Sequence, residues 1–273
     1  MSSILTNSSA MVALATLNDV NRGLNETQNR VSSGLAIRSG KENAAYFAIS
    51  ETMSGDSGMF KAINEGMTST KNSVATARLG AETVSDLAEE FTERVAFAQG
   101  DGINLSDVQG ELDALVSRMT AAIDQSTFNG DDLVNGTASV TVISGVSRSS
   151  GSFATTSLTF DQVDLGAIRD TLDAIDLSTS TDLAADLVTA EGALADAITA
   201  STELGVTEKT LEGQMEFLGA LTDTLDSGVS AMVDANMEEE AARLQAYQVQ
   251  QQLATQSLSI ANQAPQNILS LFR

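Results

Sequence analysis

Residues 190–232 read AEGALADAITASTELGVTEKTLEGQMEFLGALTDTLDSGVSAM, and this stretch repeats an apolar residue every seven positions. The repeated positions are Ala190, Ala197, Leu204, Leu211, Leu218, Leu225 and Met232. Such a repeat places its apolar residues along one face of an α-helix, where they pack against other helices. A second apolar face is incomplete because Glu208 and Thr222 interrupt it. We therefore predict a helix of about 50 residues, beginning near residue 181 and packed against more than one neighbour.

The N-terminal segment shows the same seven-residue spacing. The two interleaved sets are Ala10, Leu17, Leu24 and Val31, and Ala13, Val20 and Thr27. They predict a coiled-coil seam of about three heptads, with Thr27 as its weakest position. Ser33-Gly34 is a suitable end for this helix.

The C-terminal segment is helical in pattern and has no charged side chain between Leu244 and Phe272. We predict that its seam consists of Ala246, Leu253 and Ile260, with Val249 beside them, and that Ile268, Leu269 and Leu271 extend it beyond Pro265. The opposite face carries Gln instead of charge. A solvated helix normally bears Lys and Glu on its outer face, so this helix is suited to burial between other helices.

The middle of the chain predicts further helices and a small β region. Residues 41–97 have a helical pattern, and Ser106 with Gln109 fits a capping box at the start of the next helix. That helix is expected to end at Asn129-Gly130. Alternating apolar and Ser/Thr residues between turn signals predict short strands over roughly 131–165.

The composition disfavours catalysis and nucleic-acid binding. The chain has 273 residues, no His and no Cys, so the commonest general base, thiolate nucleophiles and the usual zinc ligands are missing. Acid pairs such as Glu89-Glu90 and Asp131-Asp132, and the run Glu238–Glu240, are interpreted as solvated acidic surface. A formal net charge of −23 repels phosphate backbones. We predict no enzyme activity, no cofactor or metal, and no nucleic-acid partner.

The charge is concentrated in the middle of the chain. Residues 1–40 carry +1, residues 241–273 carry +2, and the residues between them carry −26. No stretch approaches the roughly 18–20 apolar residues of a membrane span, which predicts no membrane insertion. The N-terminus lacks the basic and apolar regions of a cleaved secretory signal, which by itself indicates a cytoplasmic protein.

Both ends and the stretch 91–136 resemble bacterial flagellin. The N-terminal matches are Ile4, Thr6-Asn7, Ala10, Ala13, Leu17, Leu24, Gln28, Arg30, Ser32-Ser33-Gly34, Ile37, Ser39 and the run Lys41–Ala45. The internal matches are Arg94–Gln99 and Thr127–Gly136, which is similar to the family's Phe-Asn-Gly…Leu-Asn-Gly turn. The C-terminal matches are Asp234–Ala241, Leu244, Ser257–Pro265 and Ile268–Arg273. They cover about half of the chain, in the family's order.

The resemblance implies a mainly α fold, an antiparallel helical rod or coiled coil folded back on itself with a small β-hairpin region. The implied domains are an inner terminal coiled coil (1–40 and 241–273), a helical rod (41–130 and 181–240) and a short variable region (131–180). The implied assembly residues are Leu17, Leu24, Val31, Val249, Leu253, Ile260, Ile268, Leu269 and Leu271. The implied rod-packing residues are Leu204, Leu211, Leu218 and Leu225.

The resemblance also implies a structural subunit that polymerises into the filament used for swimming. The expected partners are further copies of the chain, the flagellar cap and hook-junction proteins, the export apparatus and an export chaperone. The resemblance also implies an extracellular protein that is exported without signal cleavage, in place of the cytoplasmic interpretation.

The two ends are expected to fold on assembly. A lone helix pair whose seam consists of Leu, Ile and Ala buries too little apolar surface to order both ends.

The sequence leaves two alternatives to a flagellin. A hook–filament junction protein has similar ends, although residues 269–273 favour flagellin, and growth into long filaments would distinguish the two. An acidic helical adaptor or chaperone would instead be a stable soluble monomer or dimer that forms no filaments.

Overall fold

A computed structural model describes the backbone of residues 7–149 and 152–271, and the side chains of 7–148 and 153–263. The helices are α1 (Ser8–Ser33), α2 (Ala44–Phe97), α3 (Leu105–Gln125), α4 (Leu165–Asp173), α5 (Leu183–Val233) and α6 (Met237–Leu271). The strands are β1 (Thr127–Phe128), β2 (Asp131–Asp132), β3 (Ser139–Ser149) and β4 (Ser152–Asp161). The predicted mainly α fold with a small β-hairpin region is confirmed.

The chain forms two compact units, and each contains segments distant in sequence. The first unit comprises residues 1–56 and 224–273, and the second comprises residues 57–223. α2 and α5 each contribute one end to the first unit and the remainder to the second.

In the first unit, α1 and α6 lie antiparallel. Asn7 begins α1 by accepting a hydrogen bond from the backbone N–H of Ala10. Gly34 ends it in the left-handed conformation, with φ +73°, at the predicted position. The backbone at this cap pairs with the segment that joins α5 to α6, since the N–H of Ala235 donates to the carbonyl of Gly34 at 2.8 Å and Leu35 forms an antiparallel bridge with Asp234.

In the second unit, α2, α3 and α5 supply most of the buried core. The long helix predicted from the opening stretch is confirmed as α5, with 51 residues. Its Leu204 and Leu211 are almost completely buried, as are Met67 and Phe91 of α2 and Met119 of α3. Ion pairs run beside this core: Lys71 Nζ lies 2.8 Å from Glu212 Oε1, and Arg78 Nε lies 2.7 Å from Glu208 Oε2. Burial of α5's apolar seam therefore holds this unit together.

The predicted capping box on α3 is wrong. The N-cap is Asn104, whose side chain accepts from the N–H of Ser106, because α3 begins two residues earlier than predicted. Gln109 instead donates to the carbonyl of Ile175 at 3.3 Å and accepts from the N–H of Leu177 at 2.9 Å. It therefore fastens the segment after α4 to α3.

The boundaries of the β region also differ from prediction. α3 ends at Gln125, and Asn129-Gly130 forms the two-residue turn between β1 and β2. Both turn residues have positive φ, 53° and 89°, as the turn of a tight hairpin requires. The helix α4 was not predicted; it begins where Asp164 accepts a hydrogen bond from the N–H of Ala167.

The longer hairpin, β3 with β4, packs on α5. Its register shifts between Ile143 and Gly145, which bends the strand. There Gln214 of α5 donates to the carbonyl of Ser144 at 2.8 Å, and a Cβ on Gly145 would lie 3.9 Å from Leu218. Among the helices described, none is both long and apolar enough to cross a membrane.

Candidate assembly interface

The paired helices α1 and α6 carry all nine of the sequence-predicted assembly residues. On α1, the predicted seam faces α6: Val20 and Thr27 are buried, and Leu17, Leu24 and Val31 are half-buried. The seven-residue spacing of α1 thus identified the face that packs within the chain.

On α6, the face that contacts α1 differs from the predicted one. The observed seam alternates steps of four and three residues: Glu240, Leu244, Tyr247, Gln251, Ala254, Leu258 and Ala261. The predicted residues Val249, Leu253 and Ile260 are 54%, 61% and 61% exposed. They lie about 140° around the helix from the observed seam, given 3.6 residues per turn. The sequence pattern therefore located an apolar face of α6, but α1 packs on another.

The exposed apolar face of α6 borders a groove between the two helices. The groove has a volume of about 900 Å³ and is lined by Val12 and Val20 of α1 and by Leu253, Ala254 and Ile260 of α6, among others. Val12 is 67% exposed. Among the residues that the structure describes, no charged side chain lines the groove. An exposed apolar groove without charge is typical of a surface that binds another protein.

Ile268, Leu269 and Leu271, which were also predicted to act in assembly, lie outside the residues whose side chains the structure describes.

Polar contacts cross the same helix pair. Asn7 Nδ2 donates to the carbonyl of Ala261 at 2.7 Å. The side chains of Gln251 and Asn21 form a hydrogen bond of 2.7 Å. Near the other end, Arg30 Nη1 lies 3.5 Å from Glu240 Oε1. These contacts are spread along the length of the antiparallel pair.

The prediction that Glu238–Glu240 is wholly solvated surface is wrong for one of its members. Glu240 is 5% exposed because it lies in the seam against α1. Arg243 Nη1 of the same helix lies 3.2 Å from Glu240 Oε1, so two guanidinium groups face this buried carboxylate. The sequence could not distinguish Glu240 from its two acidic neighbours, because all three are glutamates in one run.

Two further residues of this helix pair were not singled out from the sequence. Gly23 of α1 lies against the ring of Tyr247, so close that a Cβ there would be 2.6 Å from Tyr247 Cζ. The sequence offered one indication of this contact, a glycine in the middle of a strongly periodic helix. Glycine destabilises a helix interior, so its presence there indicates a close packing contact.

Three of the four predicted rod-packing leucines are well buried in the isolated chain. Leu204, Leu211 and Leu218 are at most 1% exposed, and Leu225 is half-buried. They form the buried face of α5.

The acidic pairs show no arrangement that indicates catalysis. Asp131 accepts a hydrogen bond from Ser73 at 3.2 Å, and Glu90 lies 3.5 Å from Arg118. Within the part of the chain that the structure describes, no three acidic side chains are grouped as metal ligands would be.

Comparison with known proteins gives one consistent result. The family model for the bacterial flagellin N-terminal helical region matches residues 4–139, and the model for the C-terminal helical region matches residues 187–272. A flagellin of Brucella melitensis is 35% identical over 281 residues, which cover 100% of both chains. Flagellin FljM of Caulobacter vibrioides is 34% identical over 277 residues, covering 100% of this chain and 99% of its own.

Solved structures from flagellar systems are more distant. A flagellar hook-associated protein of Vibrio parahaemolyticus aligns with a TM-score of 0.46 at 14% identity, over 69% of this chain and 96% of its own. Bacillus cereus flagellin aligns with a TM-score of 0.33 at 16% identity, over 66% and 94%.

Proposed function

Because this chain belongs to the bacterial flagellin family, the structural subunits of the flagellar filament, we propose that α1 and α6 are the elements through which its copies assemble. The chain is a filament subunit that polymerises with itself, and flagellin filaments are extracellular.

The observation that carries this proposal is the exposed apolar groove of the α1–α6 pair. Leu253 and Ile260 are each 61% exposed although they belong to a helix without charged residues beyond Arg243 in its described part. Burying a leucine side chain stabilises an interface by about 1.5–3 kcal/mol. Neighbouring copies of the same helix pair are the partner that can cover this face along its length.

We further propose that α1 and α6 become fully ordered only on assembly. Their shared seam contains Ala13, Thr27, Gln251 and Ala254, which bury little apolar area to offset the entropy of ordering two helices. Contacts with several neighbouring copies supply the missing burial. Coupled folding and assembly of this kind is recognised by a gain of helix on polymerisation.

Family membership supports a proposal for the remaining partners. We propose that the chain contacts the flagellar cap and hook-junction proteins, and that it reaches the cell exterior through the export apparatus with an export chaperone and no signal cleavage.

We assign residues 1–40 and 241–273 to the inner filament, 41–130 and 181–240 to the rod around it, and 131–180 to the short variable region. The concentration of acid between residues 41 and 240 fits an outer, solvated position.

The test is seeded polymerisation of the purified chain. Electron microscopy scores long filaments after seeds are added, and circular dichroism follows helix content in the same samples. We expect filaments together with a rise in helicity. A monomer that is already fully helical would refute folding on assembly, and a protein that never forms filaments would refute assembly through α1 and α6.

A further inference from the structure

The apolar seam between α1 and α6 discriminates poorly between alignments of the two helices. Both seams repeat every seven residues and combine small and medium side chains, with alanine at positions 10 and 13 of α1 and at positions 254 and 261 of α6. Sliding α6 by one heptad, about 10 Å, presents a seam of the same kind. Something other than apolar burial must select one alignment.

One selective contact is steric. The ring of Tyr247 occupies the space that a side chain at position 23 would fill, because a Cβ on Gly23 would lie 2.6 Å from Cζ. The helices are antiparallel, so a slip of one heptad places Tyr247 opposite Thr16 or Arg30. Both carry side chains where the ring lies, so the ring would have to move in either slipped alignment, whereas the observed alignment accommodates it in place.

The second selective contact is electrostatic. Glu240 is 5% exposed, and Arg30 is the cation that reaches it from α1, at 3.5 Å. The same slip would place Glu240 opposite Gly23, which cannot pair with a carboxylate, or beyond the end of α1 at Ser33. Glu240 would then keep Arg243 but lose Arg30, and a buried carboxylate that loses one of its cations is destabilised. Arg243 belongs to α6 and moves with it, so Arg243 cannot distinguish one alignment from another.

We propose that Gly23–Tyr247 and Arg30–Glu240 together form a register lock, which selects the alignment of α6 on α1 as the two helices fold. Through that alignment the lock sets which part of the exposed face of α6 lies beside Val12 in the groove. The proposal rests on the proposed function, since the lock operates while subunits assemble. Arg30, Glu240, Gly23 and Tyr247 are positioning residues whose effect on assembly passes through helix alignment.

A charge exchange tests the electrostatic half. Arg30→Glu and Glu240→Arg are each expected to slow seeded filament growth by about tenfold or more, because each places like charges together in the seam. The double exchange R30E/E240R should recover growth to within about threefold of the parent, since it restores the pair across the helices. Arg22→Gln is the matched control, because Arg22 lies on α1, is exposed and pairs with Asp19 of the same helix, and this variant should grow like the parent. Either of two results would overturn the electrostatic half of the register lock. The single variants could grow at the parental rate, or the double exchange could grow no faster than the single variants.

A size exchange tests the steric half independently. Gly23→Leu should slow growth, and G23L/Y247A should recover it, because removing the ring makes space for the leucine. If the double variant grows no faster than Gly23→Leu, the contact does not select the register.

Engineered cysteines report the alignment directly, because the chain has no Cys of its own. The pair N21C/Q251C replaces a hydrogen-bonded pair and should cross-link within one chain in assembled, oxidised filaments. The pairs N21C/L258C and N21C/L244C would face each other only after a slip of one heptad, and should not cross-link in the parent or in R30E/E240R. Equal cross-linking of the slipped pairs would refute the lock even if filaments grow normally. A parent that forms no filaments would instead refute the proposed function.

Discussion

Truncating Leu211 tests whether the seam of α5 holds the second unit together. Leu211 is completely buried, with 0% exposure, so Leu211→Ala removes three carbon atoms from a packed site and leaves a cavity. Buried Leu→Ala changes cost about 2–5 kcal/mol, and the central value expected here is about 3 kcal/mol. For a unit of this size, that loss corresponds to a decrease in Tm of about 6–12 °C.

The assay is urea and thermal unfolding of the unpolymerised chain, followed by circular dichroism. Val206→Ala is the matched control because it lies on the same helix at 61% exposure, and it should change the free energy of unfolding by less than about 0.5 kcal/mol. Equal effects of the two substitutions would refute the inference that the seven-residue repeat marks the core.

Three further predictions concern other parts of the molecule. Leu253→Asp should abolish seeded filament growth without changing monomer stability, because the new carboxylate would be buried between copies, whereas Leu253→Met should still assemble. Filament growth by the Asp variant would show that this face stays in water. Gly130→Ala should destabilise the chain by about 1 kcal/mol in urea unfolding, since its φ is +89°, whereas Gly110→Ala, in open space within α3, should stabilise it. The hydrogen bond from Lys71 lowers the pKa of Glu212 below its ordinary value of 4.5. The difference in unfolding free energy between the parent and Glu212→Gln should therefore be present above pH 4.5 and vanish as the pH falls through the lowered pKa. A difference that does not depend on pH would contradict this.

The helices of this protein could be predicted where their apolar spacing is long and regular. The α5 seam extends over six heptads from Ala190 to Met232, and five of its seven residues are fully buried in the structure. The end of α1 at Gly34 was predictable because a left-handed cap favours glycine. The short helix α4 was missed because nine residues show too little periodicity to separate a helix from a strand or a turn.

The family was also accessible from the sequence. Motifs at both ends and at residues 127–136 indicated flagellin, and the family models and full-length relatives confirm it. That assignment rests on residue order and identity, which are properties of the chain alone. It did not specify which face of α6 contacts α1.

The sequence by itself determined the helical class, the length of α5, the contact face of α1 and the family. Each of these depends on local spacing or on an order of residues that can be read along the chain. Only the tertiary structure decided that α6 packs through Glu240, Tyr247 and Ala254 while Leu253 stays exposed. Hydrophobic periodicity identifies faces that avoid water, but an interface that combines a glycine, an aromatic ring and an ion pair is defined by the partner it meets. The alignment of the terminal helices therefore depends on contacts between residues that lie more than 200 positions apart.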